Sequence, residues 1–183
     1  MNTNVSIRQL DRKDREGYFQ LRLRGLEEYP QAFATSAEEW QSASAKKIDA
    51  LLLLSEENKE PILGAFNSSA EMVGSICLIP ETREAVWHKA SLAALYVEPD
   101  WQQKGIGRQL VAETLRLARE RPDLLLVRLV VDSENIVALR LFERAGFFLY
   151  GREPQARHVK DSYYDQSYML CFLQDLRGEG DAA

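Results

Sequence analysis

The chain has 183 residues, 45% of them hydrophobic and 28% charged, which fits one globular domain large enough to bury its apolar surface without disulfide or metal staples. Its net charge of −5 argues against a nucleic-acid partner and leaves room for a cationic ligand, and no apolar run reaches the roughly 18 residues that a membrane helix needs. No secretory signal is visible, and Cys77 and Cys171 lie in apolar strand-like segments without metal-ligand spacing, so both read as reduced core residues of a cytoplasmic protein.

Residues 5–10 alternate as a half-buried strand, and Tyr18, Leu21, Leu23 and Leu26 then recur at helical spacing until Pro30 ends the helix. Ser36 with Glu39 has the spacing of a capping box and opens a second helix through Trp40, Ile48 and Leu51. The polar run 55–60 reads as a loop, 62–67 and 72–79 as a hairpin turning at 68–70, and 85–97 as the next strand. Ile106, Leu110, Val111, Thr114, Leu117 and Ala118 form one apolar helical face, stopped by Arg121-Pro122. The nearly continuous apolar run 124–131 predicts a central strand covered on both faces. Asp132 or Ser133 can cap a further helix whose Ile136, Leu139 and Phe142 face inward and whose end is marked by Gly146. Strands at 147–152 and 164–173 close the domain, which spans 1–176, and 177–183 reads as a flexible tail.

The most informative stretch is 95–108, where an apolar strand holding Leu95, Tyr96 and Val97 runs into Gln102-Gln103-Lys104-Gly105-Ile106-Gly107-Arg108 and opens a helix. The first amides of a helix have no intrahelical acceptor and carry the positive end of the macrodipole, so a pyrophosphate can sit there. Gly105 and Gly107 lack the Cβ atoms that would hold a phosphate away, and Lys104 and Arg108 add charge beside the amides. Taken alone, Gly105-Ile106-Gly107 fits equally well a tight strand-to-helix turn without a ligand.

The order of elements and the residues within them resemble the GNAT superfamily of acyl-CoA-dependent N-acetyltransferases. Its pyrophosphate motif, Gln/Arg-X-X-Gly-X-Gly/Ala, stands here as Gln102 to Gly107 after Tyr96-Val97-Glu98-Pro99, and Asn135, Ala138, Leu141-Phe142-Glu143 and Ala145-Gly146-Phe147 are similar to its Asn-to-Gly-Phe stretch. Tyr164-Asp165 with Met169 looks like its closing strand, and the likeness runs over 5–173. The resemblance implies an α/β (α+β) GNAT fold: a mixed, mostly antiparallel twisted sheet of about seven strands with about four helices, its central strands splayed to admit acetyl-CoA. It also implies roles. Backbone groups at Leu95 and Val97, flanking Tyr96, would pair with the pantetheine amides, and the amides from Gln103 to Arg108 would hold the pyrophosphate. Asn135 would contact the pantetheine arm, Phe142 would pack beside the thioester end, and Arg144 would reach a phosphate or remain a solvated charge. Glu28, Tyr29 and Phe33 would belong to the acceptor pocket, together with the loop 151–164. No metal is implied, and a homodimer through the last strands is the expectation by analogy.

The reaction so implied is attack of an amine on an acetyl thioester. Freeing a lysine-like amine (pKa about 10.4) of its proton at pH 7 costs roughly 4.6 kcal/mol, so a base or an ordered water is useful. The thiolate, with a thiol pKa of about 8.5, leaves more readily. Two family groups are missing: Phe142 stands where many members have a Tyr acid, and Val130 where some have a Glu base. His88 is ruled out as a substitute, since eight strand residues separate it from Tyr96, roughly 26 Å. The remaining candidates are Tyr164 and Asp165, as groups that orient the acceptor or its water, with Glu28 and Tyr29 from the junction after the first helix. The acceptor expected is a small-molecule primary amine, cationic with apolar character. A protein amine, a non-catalytic acyl-CoA-binding domain and a dinucleotide-dependent oxidoreductase are the competing readings, the last lacking the third Gly of its fingerprint.

Overall fold

The computed structural model describes residues 5–174; the expected tail at 177–183 lies outside them. Seven strands form one sheet: β1 (Ser6–Gln9), β2 (Ile62–Phe66), β3 (Met72–Pro80), β4 (Lys89–Val97), β5 (Leu126–Asp132), β6 (Phe148–Val159) and β7 (Ser162–Phe172). Their order is β1-β2-β3-β4-β5-β7-β6, antiparallel throughout except for the parallel pair β4–β5. That pair is parallel because α4 (Ile106–Arg119) crosses over between the two strands. The remaining helices are α1 (Arg15–Glu28), α2 (Ala37–Gln41), α3 (Ala45–Glu56) and α5 (Ile136–Arg144).

Two cores flank the sheet. On one face Ile106, Leu110, Val111, Leu115 and Phe142 of α4 and α5 pack on Leu63, Val73, Leu92, Val127, Leu129 and Met169. On the other, Tyr18, Leu21, Trp40, Ile48 and Leu52 of α1, α2 and α3 pack on Ile62, Met72, Cys77 and Tyr96. The strands buried on both faces are β2 and β3. The expectation of double cover for 124–131 is corrected: β5 buries Val127, Leu129 and Val131 while Val130 is 44% exposed, because its second face borders an open cleft. Cys77 and Cys171 are both buried free thiols.

The structure also corrects several boundaries. The second helix is two, giving five α-helices among the described residues, in line with the about four expected. The capping box forms, with Glu39 N donating to Ser36 Oγ at 3.1 Å and Ser36 N to Glu39 Oε2 at 3.0 Å. The helix stops at Gln41, and Ser44 caps a new one through Lys47 N. Ser55 belongs to α3 rather than to a loop, and its buried hydroxyl donates to the Leu10 carbonyl (2.8 Å) and accepts from Ile62 N (3.1 Å), pinning α3 to β1 and β2. The strand expected from 85 begins at Lys89, after a 3-10 turn at Glu84–Val86. Ile136 is 52% exposed rather than inward-facing, since it lies on the outer side of the first turn of α5. The expected loop 151–164 is the outer part of the long β6–β7 hairpin, turned at Lys160 with φ 54°. Among the described residues no helix is long and apolar enough to cross a membrane.

Candidate functional site

The sheet opens where the sequence places the glycine motif. β4 and β5 are paired only over Lys89↔Leu126, Ala90↔Val127 and Ser91↔Arg128, after which they part. The other edge of β4 stays on β3, but with a bulge: Cys77 faces Ala93 and Ser75 faces Tyr96, three steps on β4 against two on β3. Ala94 sits inside the bulge with φ 57°, a left-handed backbone that costs a non-glycine residue about 1–2 kcal/mol. A bulge bends its strand and raises the local twist, which turns β4 away from β5. Past Ser91 the β5-facing edge of β4 therefore has no ladder partner.

At the end of β4 the chain turns through Gln103 (φ 58°) and Gly105 (φ 81°) into α4. No side chain caps α4, so its first amides are left for an external acceptor. A Cβ at Gly105 would meet nothing within 4 Å: the ground in front of the helix start is open. A Cβ at Gly107 would instead meet Leu141 Cδ1 at 3.2 Å, so this glycine lets α4 lie close against α5. Gln102 braces the turn, its Nε2 donating to the Val97 carbonyl at 2.9 Å. Ile106 is buried in the core, Lys104 Nζ stands 4.8 Å from the Trp101 ring centroid, and Arg108 is exposed.

A cleft of about 740 Å³ lies across the splay. Leu95 of β4, Val130 and Asp132 of β5, and Asn135, Ala138 and Phe142 of α5 line one part; Tyr18, Arg22, Phe33, Trp40 and Cys77 line another. Asn135, not Asp132 or Ser133, caps α5, its Oδ1 accepting from Ala138 N at 3.0 Å. Asp132 instead accepts from Glu134 N at 2.9 Å, closing the preceding turn. Phe142 is buried against Phe147, ring centroids 5.7 Å apart. Burial pushes the Cys77 thiol up to about 12 and lowers the pKa of Arg22. Among the described residues no group of three or more His, Cys, Asp or Glu could hold a metal ion.

Several expected site residues lie elsewhere. Tyr164 and Asp165 do not line the cleft. Asp165 Oδ1 accepts from Gln155 N at 2.8 Å and Oδ2 from Arg152 Nη2 at 2.9 Å, and these contacts, the backbone amide foremost, hold its carboxyl below the usual range. It clasps an irregularity in β6, where Glu153 faces Gln166 and Arg157 faces Tyr164. Glu28 accepts from the Tyr96 hydroxyl at 2.9 Å, and Tyr29 packs 6.3 Å from the Tyr96 ring, both behind β4 rather than in the cleft. Arg144 is exposed in the last turn of α5. Of Glu28, Tyr29 and Phe33 only Phe33 lines the cleft, and from the expected acceptor loop 151–164 Arg157 does. Sequence reasoning missed Arg22, whose signal is its position one turn after Tyr18 on the buried side of α1.

Comparison with known proteins agrees with this architecture. The structure superposes on a GNAT-family acetyltransferase from Streptococcus pneumoniae with a TM-score of 0.83 at 18% identity, covering 93% of this chain and 100% of that one. It superposes on yncA from Salmonella typhimurium, solved with its cofactor acetyl-CoA, with a TM-score of 0.82 at 18% identity over 98% of this chain and 99% of the other. Among curated proteins, the L-amino acid N-acyltransferase MnaT of Escherichia coli is 33% identical over 89 residues, 49% of this chain and 51% of the relative. A mycothiol acetyltransferase of Thermobifida fusca is 43% identical over 67 residues, 33% of this chain but 20% of the relative. The chain thus spans about half or less of the length of these curated relatives. The model of the acetyltransferase (GNAT) family matches residues 15–147, which include the splay, the glycine turn and α5, and the chain belongs to that family.

Proposed function

We propose that this protein transfers the acetyl group of acetyl-CoA to a primary amine of a small molecule, by direct attack within a ternary complex. The observation that carries the reading is the three-pair seam between β4 and β5, which leaves a free strand edge leading to an uncapped helix start. The residues present fit the coenzyme: open ground at Gly105 suits a pyrophosphate, and the unpaired edge of β4 suits an amide-bearing arm. In this reading the amides from Gln103 to Arg108 hold the pyrophosphate with Lys104 alongside, and backbone groups at Leu95 and Val97 take the pantetheine arm. Asn135 meets the arm with its amide nitrogen, Phe142 shields the thioester end, and Arg144 adds a solvated charge. The names of the curated relatives, both denoting acyl or acetyl transfer, accord with this.

Bound acetyl-CoA supplies an activated acyl group on a thiol that leaves readily. The amine nitrogen forms the new C–N bond as the C–S bond breaks, the electron pair departs with the thiolate, and the nitrogen gives up one proton. Asp132, buried at the end of β5 with Oδ1 engaged by Glu134 N, takes that proton on Oδ2 or through a water. Holding amine and acyl carbon together in one cleft supplies much of the rate. Tyr164 and Asp165 act as positioning residues, fixing the part of β6 from which Arg157 reaches the cleft.

Phe142 and Val130, neither with a proton to give or take, favour a second reading as a non-catalytic acyl-CoA-binding domain. Release of free thiol from acetyl-CoA across a panel of primary amines, beside calorimetric titration with acetyl-CoA, separates the two. Binding with transfer supports the enzyme, binding without transfer supports the second reading, and no binding at millimolar acetyl-CoA refutes both.

A further inference from the structure

Helix α1 sends into the cleft a cation whose Nη1 finds no hydrogen-bond partner among the described residues. Arg22 stands one turn from Tyr18 and one turn from Gly25 and Leu26, all buried, so it projects from the inner side of the helix. Its guanidinium lies 4.3 Å from the Phe33 ring centroid, and both residues line the cleft. Nη1 is buried and has no hydrogen-bond partner among the described residues. The other two cleft arginines are engaged: Arg128 is paired with Glu81 and donates to Ser91 Oγ at 3.2 Å, and Arg157 Nη2 stands 3.1 Å from the Gln166 side-chain oxygen when that amide is oriented to accept.

An arginine cannot escape this position by losing its proton. Nor do its neighbours supply a negative charge, since burial raises the pKa of both the Tyr18 hydroxyl and the Cys77 thiol and keeps them neutral. A buried, unpaired donor of this kind costs desolvation that an anion entering the cleft can return. The planar fork of a guanidinium matches a carboxylate. The cleft also carries two carboxylates, Glu60 and Asp132, which oppose a dianion such as phosphate and suit an ammonium group. An arginine with an unsatisfied buried donor, in a cleft that also holds Glu60 and Asp132, therefore complements a zwitterion.

We infer that Arg22 anchors the carboxylate of the acceptor, so that the substrate class is a small amino acid whose apolar part lies against Phe33, Leu51 and Ile79. The inference rests on the acetyltransferase reading above and narrows the cationic amine expected from the sequence. Its test compares each amino acid with its own primary amide, phenylalanine against phenylalaninamide and methionine against methioninamide, by thiol release at saturating acetyl-CoA. The amide's amine is less basic, so more of it is free at neutral pH, and intrinsic reactivity favours the amide. The expected result is the reverse: kcat/KM at least tenfold higher for the acid. Arg22→Gln brings the ratio close to one, chiefly by raising KM for the acid, and Arg22→Lys keeps part of the preference; acetyl-CoA binding by calorimetry verifies that each variant is folded. Equal rates for acid and amide in the unaltered protein, or a ratio unchanged by Arg22→Gln, overturn the role of Arg22 and leave the acetyltransferase reading standing. No transfer to any acid, amide or simple amine overturns both.

Discussion

Gly25→Ala sets two effects of opposite sign against each other. Gly25 lies in the interior of α1, where alanine is better than glycine by about 0.8–1.0 kcal/mol, so helix propensity alone predicts a more stable protein. The structure predicts the opposite. A Cβ at Gly25 falls 2.9 Å from Cγ and 3.0 Å from Cδ2 of Tyr96, closer than real Cβ contacts come. The ring has little freedom to retreat: Tyr96 is 4% exposed, and its hydroxyl is tied to Glu28 at 2.9 Å. Overpacking of this kind costs about 1–3 kcal/mol, leaving a net loss of about 1 kcal/mol and a fall in Tm of about 2–4 °C for a chain of this size. Because Tyr96 is part of β4, the shift also displaces the free strand edge and weakens acetyl-CoA binding severalfold. Thermal unfolding and calorimetry measure both. The double variant Gly25→Ala, Tyr96→Val, which removes the ring, recovers part of the loss relative to the sum of the single changes. A rise of about 2–4 °C for Gly25→Ala alone, the outcome of propensity without a clash, refutes the reasoning.

Gly105→Ala puts a methyl group into open ground at φ 81°, so it costs about 1–2 kcal/mol of folding stability but weakens acetyl-CoA more than tenfold in a calorimetric titration. With the Cys77 thiol pushed up to about 12, it stays protonated at pH 8, and activity survives pretreatment with iodoacetamide at that pH once the reagent is removed. Its raised pKa favours the fold fully below the unfolded thiol value and less as pH climbs through the folded one, so stability declines on the alkaline side. Asp165→Asn leaves kcat within about twofold while loosening the hairpin, seen as faster amide exchange in β6; a hundredfold fall in kcat makes Asp165 a participant in the chemistry instead. The lowered carboxyl of Asp165 lends stability above the ordinary aspartate range, and this is lost as pH falls through the folded value, an effect missing in Asp165→Asn.

The sheet and the glycine turn were legible because their signals are local. Alternation over 5–10, a continuous apolar hairpin and the Gly-X-Gly spacing each lie within a few residues. The break between α2 and α3 escaped detection since Trp40 and Ile48 are eight residues apart and stay in phase across the Ser42-Ala43-Ser44 interruption. The outer half of β6 is hidden for a different reason. It is an edge strand, mostly exposed, and its Pro154 falls where the register slips, so neither alternation nor burial marks it. The candidate site divides the same way. Gly105 and Asn135 stand at the starts of α4 and α5, positions their local pattern marks, whereas Asp165 is claimed by Gln155 through a slip no spacing reveals. Arg22 carries a visible charge on an apolar helix face, but long side chains often reach solvent from such positions, and only the fold shows that Nη1 does not.

The short seam between β4 and β5 makes the sheet two pleated panels stitched by three rungs, with α4 and α5 as backing on one side. An amide-bearing guest lying along the gap would take up the free edge of β4 as an added strand does. Thermal midpoints should then climb with ligand concentration by mass action, about 2.7 kcal/mol of added stability at a hundredfold excess over Kd, whether or not any chemistry follows.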